Sequence, residues 1–277
     1  MNCVHFVKMH GAGNDFVLID DRAGTFPAHD HIRLAALAAS RTGIGCEGVI
    51  LVQNSTQADF RMVFFNPDGT EADLCGNGSR CVAVFAHAIG AVKTASMTFE
   101  TRAGLVDAEL LDSGLVKLWM PEPKDRRYNL RVGDVNGDFV VTGVPHFVVP
   151  CDAVASVDVV GKGRELRLSE TFAPDGTNVD FVQFIPPNKA VMRTYERGVE
   201  MESGACGTGA LATAVVGVET KGMSLPMHIR TSHGFVLTVD GDWRRAKSTG
   251  ITLVGPVRKV FEGDIDLDAL DVSNEME

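Results

Sequence analysis

One pattern of eight residues occurs twice in this chain. Glu71-Ala72-Asp73-Leu74-Cys75-Gly76-Asn77-Gly78 and Glu202-Ser203-Gly204-Ala205-Cys206-Gly207-Thr208-Gly209 both read Glu-x-x-x-Cys-Gly-x-Gly, 131 positions apart. Other segments keep nearly the same offset. Phe16-Val17 maps onto Phe147-Val148 at 131, and Arg61 to Gly69 maps onto Met192 to Glu200, which sets Asn66 opposite Arg197. Thr101-Arg102-Ala103-Gly104 matches Thr231-Ser232-His233-Gly234 at 130. A period this long is no solenoid repeat. It predicts two similar domains, related by an approximate twofold, in a chain of 277 residues, a length that suits one large domain or two ordinary ones.

Local patterns fill each half. Phe16 to Ile19, Val49 to Val52 and Met62 to Phe65 read as short buried strands, as do Phe147 to Val149, Val179 to Phe184 and Val191 to Tyr195. Helix-length apolar runs follow each Cys-Gly-x-Gly: Cys81 to Ile89, stopped by Gly90, and Ala210 to Val216, stopped near Gly222. They are apolar on nearly every side, which marks buried helices. A further helix is predicted from Asp30, a candidate N-cap, to Arg41, with a stop at Gly43. The expected class is α+β, with two pseudo-symmetric domains, each a curved, barrel-like sheet around a buried central helix. The predicted boundary is Pro121-Glu122-Pro123, giving halves 1–120 and 121–256. The stretch 262–277, with seven acidic residues and neither Lys nor Arg, is expected to be solvated and partly mobile.

Composition narrows the function. Hydrophobic residues make up 45% and charged residues 22%, as in folded globular domains. A net charge of −10 is the wrong sign for a nucleic-acid binder. No apolar run approaches the roughly 20 residues that span a bilayer, and the start of the chain carries no signal-peptide pattern. Six cysteines are too few for a disulfide scaffold. The expectation is a cytoplasmic protein with reduced thiols.

Cys75 and Cys206 each fall just before a predicted helix. Flanking glycines let the backbone turn sharply and approach a ligand. The free N–H groups and positive dipole end of a helix favour an anion, whether a thiolate or a bound carboxylate. If the two helices point at a shared cleft, the sulfurs oppose one another. That arrangement suits racemisation or epimerisation, in which one thiolate takes a proton from one face of a carbon and one thiol returns a proton to the other. Structural readings compete. A lone cysteine is usually a small buried hydrophobe, and that reading is applied to Cys3, Cys46, Cys81 and Cys151. Cys75 and Cys81 lack zinc-ligand spacing. Gly43 to Gly48 matches a dinucleotide fingerprint only formally, because it follows a helix and precedes a strand. No lysine stands in a recognisable pyridoxal-phosphate context, and neither metal nor cofactor is expected.

Ordered motifs then resemble the diaminopimelate epimerase family from Lys8-Met9-His10-Gly11-Ala12-Gly13-Asn14-Asp15-Phe16 to about Ile265. They include Arg41 to Gly45, Phe64 to Ala72, Leu74 to Cys81, Gly143-Val144-Pro145-His146, Gly176 to Val182, Tyr195 to Val199 and Ala205 to Gly209. The resemblance implies a cofactor-independent enzyme that interconverts LL- and meso-diaminopimelate in lysine and peptidoglycan precursor biosynthesis, as a homodimer. A last strand would return to the first domain, so that 257–277 joins it. Cys75 and Cys206 would be the acid–base pair. Asn14, Asn66, Asn178, Glu196 and Arg197 would bind substrate, and Gly76, Asn77, Gly207 and Thr208 would hold the reacting carboxylate through backbone N–H groups. His146 and Glu196 would orient the substrate ammonium or tune the thiols. Arg197 suits a bidentate grip on a carboxylate. Bland readings stand beside these: His146 as a packed loop histidine, Asn66 as a turn residue before Pro67-Asp68-Gly69, and Glu196-Arg197 as a surface ion pair.

Two positions depart from some relatives, which carry Asn where Val144 stands and Gln where Gly48 stands. Three other functions compete: a racemase of another amino acid on the same fold, a redox switch in which Cys75 and Cys206 form a disulfide, and an inactive binding protein. The Asn66, Asn178 and Arg197 set favours a substrate with a distal amino-acid end, and Asn77 differs from the residue that proline racemases carry. The net charge is concentrated in the acidic tail, leaving −3 on residues 1–261. It therefore says little about the ligand.

Overall fold

A computed structural model describes residues 3–243 and 250–270. The chain divides into two compact units, residues 1–118 with 256–277, and residues 119–255. The first division falls inside a strand, just ahead of Pro121-Glu122-Pro123.

The first unit contains β1 (Cys3–Gly11), β2 (Asn14–Asp20), α1 (His31–Ala38), β3 (Val49–Gln53), β4 (Phe60–Phe65), β5 (Glu71–Ala72), α2 (Gly76–Ala88), β6 (Ser96–Thr101), β7 (Gly104–Leu110) and most of β8 (Leu115–Met120). The second contains β9 (Lys124–Val132), β10 (Val135–Val141), β11 (Pro145–Pro150), α3 (Val159–Arg167), β12 (Asn178–Ile185), β13 (Lys189–Glu196), β14 (Met201–Ser203), α4 (Gly207–Thr220), β15 (Met227–Arg230) and β16 (Val236–Gly241). Strand β17 (Ile251–Asp266) begins in the second unit and ends in the first.

Pairing in the two units is the same, strand for strand. The first runs β17-β1-β2-β3-β4-β6-β7-β8, with β5 added on β4. The second runs β9-β10-β11-β12-β13-β15-β16-β17, with β14 added on β13. Each has parallel pairs at the same places, β2 with β3 and β4 with β6, against β11 with β12 and β13 with β15. This is the predicted α+β duplication, a barrel-like sheet with a buried helix in each unit.

The central strands read as unbroken apolar runs because they are covered on both faces. In the first unit Val17, Ile19, Val49, Leu51, Val63 and Phe65 pack with Leu34 and Leu37 of α1. The alternate residues meet α2, where a Cβ on Gly78 would lie 3.0 Å from Ile50 and 3.4 Å from Met62. In the second unit Phe147, Val149, Val179, Phe181 and Tyr195 pack with Val159 and Leu166 of α3, and Thr213 of α4 donates to Met192 Sδ at 3.2 Å.

Helices α2 and α4 begin directly after the cysteines, as expected. Three expectations need correction. Helix α1 stops at Ala38 rather than Arg41. The acidic stretch is strand as far as Asp266. It pairs with β1, from Cys3 opposite Asp266 to Lys8 opposite Phe261. Charge counting hid an alternation: Ile265 packs against the core and Leu267 and Leu270 are part of it, between outward acids. Residues 271–277 lie outside the described residues.

The third correction concerns register. Val17 pairs with Val49 and Val49 with Phe65 in the first unit, while Phe147 pairs with Val179 and Val179 with Tyr195 in the second. The equivalence through these strands is therefore 130, with Val17 opposite Phe147, and it becomes 131 only in the turns before β5 and β14. A slip of one residue exchanges the two faces of a strand. In the corrected register Phe16, Ile50 and Phe64 correspond to His146, Asp180 and Thr194.

Gly163 tests the packing of α3. A methyl there would strike Tyr195, with Cβ in overlap and Cγ at 2.6 Å. Helix propensity alone would make Gly163→Ala stabilising by up to about 1 kcal/mol. Overpacking reverses the sign, and we expect a loss of about 1–3 kcal/mol in urea unfolding.

Candidate active site

Both cysteines are helix N-caps. Cys75 has extended backbone (φ −134°, ψ 118°), and its Sγ accepts from Gly78 N at 3.5 Å. Cys206 repeats this (φ −116°, ψ 113°), with its Sγ accepting from Gly209 N at 3.4 Å. Sulfur thus takes the position usually held by a Ser, Thr, Asp or Asn oxygen. The N–H groups of the first turn and the positive helix end lie beside it. At Gly76 a Cβ would meet nothing within 4 Å, so the approach to that first turn is open.

Around Cys75 the polar groups form a chain. Asn77, almost fully buried, donates through Nδ2 to Asn14 Oδ1 at 3.2 Å, and Cys75 Sγ lies 3.8 Å from the same oxygen. Asn14 Nδ2 donates to Glu47. Asn77 Oδ1 accepts from Arg80, whose Nη1 also reaches Gly76 O at 3.4 Å. Arg80 is 0% exposed, and its Nε has no hydrogen-bond partner. Burial lowers its pKa, while Cys81 and Cys75 oppose that shift. Its position in α2 corresponds to Leu211 in α4.

Around Cys206 the chain is different. His146 Nδ1 lies 2.7 Å from Asp180 Oδ2, with both side chains fully buried, and Nε2 lies 2.9 Å from Thr208 Oγ1. Thr208 Oγ1 is 3.4 Å from Cys206 Sγ. Thr194 donates to Asp180 Oδ1 at 2.6 Å, and Thr142 to Thr208 O at 2.9 Å. A methyl on Gly209 would sit 2.5 Å from Asp180 Oδ1, so only glycine lets the helix start so close to the carboxylate. Cys206 is 6% exposed. Burial, then the carboxylates of Glu196 and Asp180, push its thiol well above the ordinary range, against the hydrogen bonds from Thr208 and Gly209.

The remaining predicted residues are placed as follows. Asn178 Oδ1 accepts from Arg197 N at 2.7 Å, and its Nδ2 lies 3.4 Å from His146 Nε2. Arg197 Nη1 reaches Asp175 O at 3.3 Å. Glu196 ends β13 beside the Cys206 site. Asn66 is a turn residue in its contacts: its N–H bonds Thr70 O at 2.8 Å, its C=O accepts from Gly69, and its Nδ2 donates to Thr70 Oγ1 at 3.2 Å. Gly48 has a steric cause, since a side chain there would overlap Phe64 and stand 2.9 Å from Phe65 O. Val144 closes a tight turn by accepting from Thr142 N at 3.0 Å.

Sequence reasoning missed Arg80, Asp180, Thr194 and Glu47. The signal for the first two was an ion inside an apolar run, Arg80 before Cys81-Val82-Ala83 and Asp180 between Val179 and Phe181. Buried ions without a reason are rare. Among the described residues no cluster of three potential metal ligands occurs, and no helix is long and apolar enough to cross a membrane.

Comparison with known proteins gives this geometry its context. A sequence model of the family described as diaminopimelate epimerase matches residues 6–124 and 139–260. The diaminopimelate epimerase of Aquifex aeolicus is 41% identical over 285 positions, spanning 97% of this chain and all of that protein. That of Chlorobaculum tepidum is 40% identical over 262 positions, spanning 94% of this chain and all of that protein. Among solved structures, a PhzF-family phenazine biosynthesis protein of Bacillus anthracis superposes with a TM-score of 0.73 at 16% identity, covering 96% of this chain and 99% of its own. A hydroxyproline epimerase from Agrobacterium vitis superposes at 0.67 with 18% identity, covering 95% and 92%. At such identities the structures establish the fold alone. Sequence and fold together define an isomerase, an amino-acid epimerase of the class that works without pyridoxal phosphate. The chain belongs to the diaminopimelate epimerase family.

Cysteines outside the two caps give a pH test. Burial pushes the Cys46 thiol up to about 11 and the Cys81 thiol further. A thiol raised on folding stabilises fully below its unfolded value near 8.5 and loses that contribution as pH climbs toward the folded value. Stability in urea should therefore fall between pH 8.5 and 11, and Cys46→Ala should flatten the fall by up to about 1.4 kcal/mol per pH unit.

Proposed function

We propose that this protein interconverts LL- and meso-diaminopimelate by a two-base thiolate/thiol mechanism, in lysine and peptidoglycan precursor biosynthesis, without a cofactor and as a homodimer. The observation that carries the reading is the pair of cysteine N-caps, one per unit, each at a helix start with its Sγ accepting from the N–H three residues on. Inversion at a carbon needs acid–base groups on opposite faces, and a duplicated fold supplies two. The reading requires the two sulfurs to flank one α-carbon.

The proton α to a carboxylate is weakly acidic, because the carbanion places more charge on an already anionic group. N–H groups at Gly76 and Asn77, and at Gly207 and Thr208, would hold that carboxylate where charge accumulates. One thiolate accepts the α-proton and one thiol donates its own to the opposite face. The roles exchange for the reverse reaction. Asn14, Asn66, Asn178 and Arg197 would hold the distal end, with the Arg197 guanidinium on its carboxylate. Glu196 would face an ammonium group, and His146 would tune Cys206 through Thr208.

The test is isotope exchange. Reduced protein incubated with LL-diaminopimelate in D2O should produce the meso isomer with deuterium at one α-carbon. Absence of both product and label would refute the epimerase reading. Cys75→Ala and Cys206→Ala should each lower turnover by about 10²–10⁴-fold or more with the circular dichroism spectrum unchanged. Full activity in either would refute the two-base mechanism. Arg197→Met should raise KM more than it lowers kcat, as expected for a group that grips the unreacting end.

A further inference from the structure

The turn that carries Glu196 and Arg197 is built differently from its counterpart in the first unit. Paired residues Phe65 and Glu71 enclose 66–70, whereas Tyr195 and Glu202 enclose 196–201, one residue more. The shorter turn is closed from α1, where His31 Nδ1 donates to Gly69 O at 2.7 Å. The longer one holds two residues in the left-handed region, Gly198 (φ 90°) and Glu200 (φ 58°). We propose that Glu200 and Arg167 form a clasp that sets Glu196 and Arg197 in place for the unreacting end of the substrate, so that both are positioning residues for the reaction. The inference rests on the substrate reading above and names the residues that keep its distal-end site in shape.

Glu200 holds a backbone conformation that is costly for a side chain and free for glycine. Contacts must keep it there. Three donors converge on its carboxylate. Arg167 Nε, in the last turn of α3, donates to Oε1 at 2.7 Å, and Gly198 N donates to the same oxygen at 3.0 Å. The Tyr195 hydroxyl donates to Oε2 at 3.1 Å, and its ring is buried against Gly163 of α3. Glu200 N donates to Glu196 O at 2.8 Å, which closes the turn on itself. A charge-assisted bond from a guanidinium is the strongest of these links.

Arg167 supports the Asn178 side as well. A methyl on Gly176 (φ 71°) would stand 2.5 Å from Arg167 Nη1 and 2.8 Å from Arg167 O, so the arginine lies directly on the turn that leads into Asn178. Asn178 Oδ1 accepts from Arg197 N at 2.7 Å, and Arg197 Nη1 reaches Asp175 O at 3.3 Å. Segments 175–178 and 196–200 therefore meet through Arg197 directly and through Arg167 as a shared support.

The Arg167 and Glu200 side chains are 18% and 44% exposed. An ion pair this open adds little to global stability. Its effect is local, on which arrangement of the turn is populated. Where only a fraction of molecules hold the binding arrangement, apparent affinity falls by that fraction.

The test separates binding from chemistry. Glu200→Asn keeps a residue that tolerates the left-handed region and is too short to reach Arg167. Its KM for LL-diaminopimelate should rise about 5–20-fold with kcat within about threefold of wild type, and the urea midpoint should not move. Glu200→Gln keeps the length and an acceptor oxygen and should recover most of the KM. Combining Glu200→Asn with Arg167→Met should be no worse than either change alone, because the two residues act as one clasp. Hydrogen exchange reads the clasp without substrate. In Arg167→Met the amides of Arg197, Gly198 and Glu200 should exchange about 5–20-fold faster, with the central strands unchanged. None of those amides bonds Arg167, so the change would report coupling through Glu200. A KM unmoved in Glu200→Asn, a loss confined to kcat, or exchange unmoved in Arg167→Met would overturn the proposal. A wild type that does not turn over diaminopimelate would overturn the substrate reading, and exchange would then decide the clasp alone. Should Arg167→Met fail to fold, Glu200→Asn decides by both readouts.

Discussion

A sulfur that caps a helix is the contact on which the rest of the structure depends. At the start of a helix, backbone N–H groups point outward without partners. Cys75 and Cys206 each satisfy one of them, that of the third residue on. The glycines around each cysteine follow from this. Gly209 is needed because Asp180 stands against the first turn of α4, whereas a side chain at Gly76 would meet nothing within 4 Å. Each helix then has to be buried, because its charge-favouring end is useful only in a site that excludes bulk water. That burial in turn requires a sheet covered on both sides.

The same backbone device serves two different electrical environments. Below α4 the face of the sheet carries Asp180, His146 and Thr194, joined by hydrogen bonds shorter than 3 Å. Below α2 the equivalent face carries Phe16, Ile50 and Phe64, and the charge comes from the helix itself, at Arg80. Duplication supplies two cysteine caps on one scaffold. Divergence of a few buried side chains gives the two caps different surroundings.

The repeated Glu-x-x-x-Cys-Gly-x-Gly made the duplication, the strands in apolar runs and the two cysteine caps legible in the sequence. The alignment by motif offset went astray by one residue in the central strands, and the reason is geometric. Identity at the motif fixes the offset only locally, and the turns before β5 and β14 differ by one residue in length. One residue is the difference between the α1 face and the α2 face of a strand, so the correspondence between Asp180 and Ile50 was hidden. The acidic stretch after Glu262 was misread for a related reason. Counting charges averages over both faces of a strand, whereas Ile265 and Leu267 pack inward while Asp264 faces out.

The sequence by itself determined the architecture, the family and the place of the two cysteines at helix starts, because periodicity, glycine placement and a repeated motif are local properties that survive in one dimension. Only the tertiary structure decided which polar residues stand behind each sulfur. Arg80 is three residues from Asn77 in sequence, yet its effect depends on complete burial. Asp180 reaches Cys206 through His146 and Thr208, side chains 34 and 62 positions apart along the chain in their hydrogen bonds. Hydrogen-bond direction and desolvation arise from neighbours in space, and no pattern along the chain encodes them.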